Sequence, residues 1–112
     1  MEAQQLVVVS AHSPREKFWG VLLELTTAGV TLRGLALDSF EDWLRQFVGD
    51  TPRLLGAVTL FLPAHRIERV EIDETSGAVE GYADRFVRLT GQDPRQEVLR
   101  SAQSSPEDLR QM

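Results

Sequence analysis

The side chains best placed for chemistry are His65, Arg66 and Arg69, gathered beside Pro63 within seven residues, with Arg33 as a fourth cation. Arginine presents a planar fork of donors that fits phosphate or carboxylate, so these four form a candidate anion site. The same arginines can instead pair with Glu68, Glu71 or Asp73 on a solvated strand. Three acids, Asp38, Glu41 and Asp42, also lie close together. Their spacing at a helix start is explained by capping and by the favourable field of a helix N-terminus. His12 and His65 are the only histidines and stand far apart, without metal-ligand spacing. No GxSxG, GxxxxGK[ST] or GxGxxG pattern occurs, so a nucleophile elbow and the common nucleotide cradles are absent. This reading assigns no catalytic residue, no metal and no cofactor, and it expects a non-enzyme.

Composition narrows the partners. Among 112 residues there are 17 acids and 12 bases, a net charge of −5, which disfavours a general phosphate-backbone binder. Lys17 is the single lysine; the other bases are arginine. The chain has no cysteine, which removes disulfides, thiolate metal sites and thiol nucleophiles and suits a reducing cytoplasm. No apolar run approaches a membrane span, and no basic leader precedes a long apolar stretch, so a cytoplasmic protein is expected.

The elements that must position these groups follow from periodicity. Residues 6–9 form a β-branched run and a first strand. Residues 18–26 read as a second, with Trp19, Val21, Leu23 and Leu25 on one face, joined through Thr27-Ala28-Gly29 to a third at 30–37. Gly34 and Ala36 mark a close backbone approach or a bend. Asp38-Ser39-Phe40-Glu41 has capping-box spacing, and Phe40, Trp43, Leu44 and Phe47 form an apolar helical stripe ending near Val48. Residues 57–62 are a further strand. Ile67 differs in parity from Val70 and Ile72, which a helical turn or bulge at 63–66 resolves before a last strand begins near Glu68. Val79, Tyr82, Ala83, Phe86 and Val87 make a second stripe, closed by Gly91.

These elements predict an α+β fold: a small, strongly bent antiparallel sheet or partly open five-stranded barrel with two amphipathic helices. Residues 1–91 form the globular domain. Residues 92–112 are a polar tail, frayed or a short helix, with helix starts at Asp93-Pro94 and Ser105-Pro106. The first hairpin strand is apolar on both faces, with Phe18 and Leu22 opposing Trp19, Val21 and Leu23, so the helices or another subunit must cover it.

The order of strand, long hairpin, strand, proline corner and strand, together with Gly29 and Gly34 in Leu25-Thr26-Thr27-Ala28-Gly29-Val30-Thr31-Leu32-Arg33-Gly34, resembles the Sm-like small barrels. That resemblance implies a barrel and an RNA-binding surface. Two functions are therefore expected in order. The first is a protein-interaction module, an adaptor or regulatory subunit that binds a protein partner or itself, with Phe18, Trp19, Trp43 and Phe61 as anchors and Arg66 and Arg69 at the rim. The second is RNA or phosphate binding through Arg33, His65, Arg66 and Arg69.

Overall fold

In the structure, a computed structural model that describes residues 1–49 and 52–103, one antiparallel sheet of five strands carries three helices. The strands are β1 (Leu6–Ala11), β2 (Glu16–Thr26), β3 (Gly29–Ala36), β4 (Val58–Pro63) and β5 (Ile67–Ile72), in the order β4-β3-β2-β1-β5. The helices are α1 (Phe40–Arg45), α2 (Tyr82–Thr90) and α3 (Pro94–Gln103). The sheet is open: β4 and β5 are its two edges. The expected α+β class with a bent five-stranded sheet is therefore what the chain forms.

Curvature is built into β2 and β3. Gly20 stands opposite Gly34, and a Cβ on Gly34 would lie 2.0 Å from the Trp19 carbonyl oxygen and 2.7 Å from Gly20 Cα. Only two glycines allow the strands to approach this closely on the inner face. The bend brings the outer strands around, so that Val7, Val9, Leu22, Val30, Leu32 and Leu62 bury one another, flanked by Phe18, Leu60, Ile67, Val70 and Ile72. Among the described residues no helix packs on this inner face. The two-sided apolar hairpin is thus covered by helices on one side and by the sheet's own curl on the other.

The outer face is aromatic. Trp19 from β2 meets Phe40 edge-on at 4.9 Å and Trp43 at 5.5 Å, and Trp43 stacks on Phe86 of α2 at 4.9 Å. Trp19 and Trp43 are fully buried here. Asp73, just after β5, ties the layers together. It accepts the Trp19 indole N–H at 2.8 Å and the Tyr82 and Ala83 backbone N–H groups at 2.8 and 2.7 Å. The carboxylate therefore caps α2 from a distance, while Gly81 at the cap position makes no side-chain bond. Arg85 reaches from α2 to the Glu41 carboxylate of α1 by two bonds of 2.7 and 3.1 Å.

Two expectations change and two are sharpened. The capping box does not form: Ser39 already has helical backbone angles (φ −92°, ψ −3°) in a 3-10 turn at Leu37–Ser39, and no side-chain bond caps α1. The parity break at Ile67 is resolved twice. The 3-10 turn Ala64–Arg66 follows Pro63 as expected, and a bulge then leaves Glu68 unmatched, since Ser10 pairs with Arg69 and Ala11 with Ile67. Val79 lies outside α2 and is exposed, so it does not belong to that helix's apolar stripe. Finally, the tail after residue 91 begins with a short helix, one of the two forms expected for it, and that helix docks. Val98 of α3 is fully buried in the aromatic core, because one apolar residue docked beside Leu99 suffices to seat a short helix. The helix start expected at Ser105-Pro106 lies outside the described residues.

Candidate functional site

The two sheet edges differ in chemistry. β5 carries Glu68, Arg69 and Glu71 on its six residues, and all three are exposed. Charges on an edge strand discourage pairing with another chain, because docking would bury them. β4 reads Val58-Thr59-Leu60-Phe61-Leu62-Pro63 and carries no charge. One side of β4 is paired with β3 from Gly34↔Val58 to Gly29↔Pro63; no strand pairs with its other side among the described residues. Val58 and Phe61 remain 54% and 53% exposed. Leu54 and Leu55 precede them and are also exposed.

The approach to this edge is held from beneath. Gln46, itself buried, donates from Nε2 to the Leu55 carbonyl at 3.0 Å and accepts the Leu55 N–H at 2.6 Å on Oε1. That two-way clamp fixes the chain as it enters β4. At the other end, Ala64 N–H donates to the Ala28 carbonyl at 2.8 Å, tying the proline corner to the β2–β3 hairpin. Across β4, the Phe61 ring lies over Gly29, where a Cβ would meet its Cζ at 2.8 Å. Arg33 neighbours the edge, donating from Nη1 to the Thr59 hydroxyl at 3.3 Å, while its Nε is buried without a partner. Burial pushes the Arg33 guanidinium pKa below its ordinary value.

Of the expected anchors, Phe61 alone is largely exposed. Phe18 is half-buried against the inner face. Trp19 and Trp43 cannot meet a partner: they are the centre of the aromatic layer, drawn in because the helices cover their face of the sheet. The expected anion set is also dispersed. Arg66 spends its donors on the His12 carbonyl (3.3 Å) and the Pro14 carbonyl (2.9 Å), fastening the β1–β2 loop to the corner. Arg69 lies on β5 at 2.8 Å from Glu71. Arg33 is on β3, three strand spacings from β5, or about 14 Å along the sheet. Sequence reading had no means of finding Leu54, Leu55 and Val58, whose exposure depends on where the sheet stops. The available signal was the run of six uncharged residues at 58–63.

Among the described residues no three His, Asp or Glu side chains gather where they could hold a metal ion, and no helix is long and apolar enough to cross a membrane. Comparison with known proteins finds no family model, no curated relative and no solved structure that matches this chain.

Proposed function

We propose that this protein is a non-enzymatic interaction module that works by adding a strand to β4, with a second copy of the chain as the simplest partner. The observation that carries this reading is the uncharged, unpaired β4 edge with Val58 and Phe61 more than half exposed, opposite an edge defended by three charges. Main-chain hydrogen bonds supply affinity in such strand addition, and alternate side chains supply selectivity. Antiparallel pairing of β4 with its own copy sets uncharged residues against uncharged residues at every register. Pairing of β4 with β5 of another copy would bury Glu68, Arg69 or Glu71 beside Val58 and Phe61, which is costly. The bent, open sheet is the scaffold for this role, since it leaves the β4 edge without a partner among the described residues. The RNA-binding alternative has less support, because its four cations do not converge.

Light scattering across a concentration series tests the reading. The expected result is a species of twice the 12.6 kDa chain mass that shifts to monomer in Phe61→Lys, with folding checked by circular dichroism. A monomer at every concentration removes the self-pairing. A dimer indifferent to both Phe61→Lys and Val58→Lys removes β4 as the interface.

A further inference from the structure

A row of three side chains crosses the outer face of the sheet at the end that the helices leave bare. Ser10 on β1 stands directly opposite Lys17 on β2 and directly opposite Arg69 on β5, so all three project from the same face. Ser10 is only 3% exposed, and its hydroxyl has no hydrogen-bond partner. A buried hydroxyl left unpaired is destabilising, and such groups are rare enough to call for an explanation. It lines a cleft of about 190 Å³ together with three cations, Arg15, Lys17 and Arg69, and two carboxylates, Glu16 and Glu68. The bulge at Glu68 falls beside Ser10, the place where a bulge re-aims its neighbours.

We infer that this cleft binds a phosphate group, with the Ser10 hydroxyl, Lys17 and Arg69 as the donors. Donors carried by three adjacent strands and lining one cleft suit a tetrahedral oxyanion better than a flat carboxylate, which a single arginine fork already satisfies. Lys17 and Arg15 make no ion pair among the described residues. Glu16 is engaged by Arg66 at 3.7 Å, and Arg69 by Glu71 at 2.8 Å. The Arg69–Glu71 pair is exposed on both sides, so a phosphate competes with it at little cost. A second cleft shares Arg15, Glu16 and Lys17 with this one and is also lined by Phe18, Ala36, Leu37 and Asp38, which gives an apolar substituent on the phosphate a surface to rest on. The ligand class is therefore a phosphate monoester or free phosphate, at a site separate from the β4 edge.

Amide chemical shifts of the full chain, titrated with inorganic phosphate and with phenyl phosphate at constant ionic strength, test the inference. Saturable shifts are expected at Ser10, Lys17 and Arg69. Ser10→Ala should weaken binding about tenfold to a hundredfold, the worth of one hydrogen bond to a charged group. Lys17→Met and Arg69→Gln should each weaken it at least as much. Ser10→Ala should melt no lower than the wild type, since the hydroxyl it removes is unpaired; a structural serine would behave oppositely. Tighter binding of phenyl phosphate assigns the site to monoesters, and equal binding assigns it to free phosphate. Shifts that never saturate, affinity unchanged in Ser10→Ala, or an equal loss in the distant control Arg95→Gln overturns the site.

Discussion

The two faces of the one sheet exclude water by different means. The outer face buries a polar-tipped aromatic layer under three helices, and its order depends on a few directed bonds: Trp19 to Asp73, Asp73 to the α2 N-terminus, Arg85 to Glu41. The inner face is mainly aliphatic, and among the described residues no helix covers it; β1, β2, β3, β4 and β5 curl until Val7, Val9, Val30 and Leu32 lose all contact with water. A covered face needs partners in the correct places, whereas a curled face needs backbone that can bend. The curl also leaves two edges, and only β5 is protected by charge.

The largest effect should come from straightening the sheet. Gly34→Val places a side chain against the Trp19 carbonyl and Gly20 Cα, atoms of the backbone that cannot move aside. The expected cost exceeds about 4 kcal/mol, leaving the chain unfolded by circular dichroism and amide dispersion at 25 °C. A folded Gly34→Val would show that the inner face does not depend on this close approach.

Asp73→Ala tests the outer face alone. It leaves the Trp19 indole N–H and two N–H groups of α2 without their acceptor, at an expected cost of about 2–3 kcal/mol. Urea unfolding should show that loss, with hydrogen exchange rising first in α2 while β1–β3 amides stay protected. Equal loosening of both faces would mean that the layers are not separable in this way.

The smallest effect is that of pH. Hydrogen bonds from Arg85 hold the Glu41 carboxyl below its ordinary value of 4.5, and Arg88 does the same for Glu80. A depressed folded value means that the stabilisation is complete above the ordinary carboxylate pKa and is lost as pH falls through the lower folded one. Both pairs are solvent-exposed, so the change should be modest and should shrink in high salt. Melting temperatures between pH 6 and pH 3 should fall less steeply in Arg85→Gln/Arg88→Gln than in the wild type.

The local elements were readable because each rests on neighbours in the chain. Alternation in residues 18–36 yields the hairpin, the spacing of Phe40, Trp43, Leu44 and Phe47 yields α1, and Pro63 with the parity of Ile67 yields the corner turn. What escaped reading depends on residues distant in sequence. Val98 has no periodic companions to announce that α3 docks. The aromatic anchors looked equivalent, yet two are sealed under helices and one faces out. Ser10 became notable only when Lys17 and Arg69 arrived on either side of it.

By itself the sequence determined the α+β class, the hairpin, the two aromatic-rich helices and the bend at Gly34, because periodicity, propensity and the missing Cβ act locally. Tertiary structure decided which apolar face is core, which edge is left free of charge, and which cations meet. Those outcomes depend on register and curvature, and both are fixed only when strands distant in sequence, β1 and β5 above all, pair.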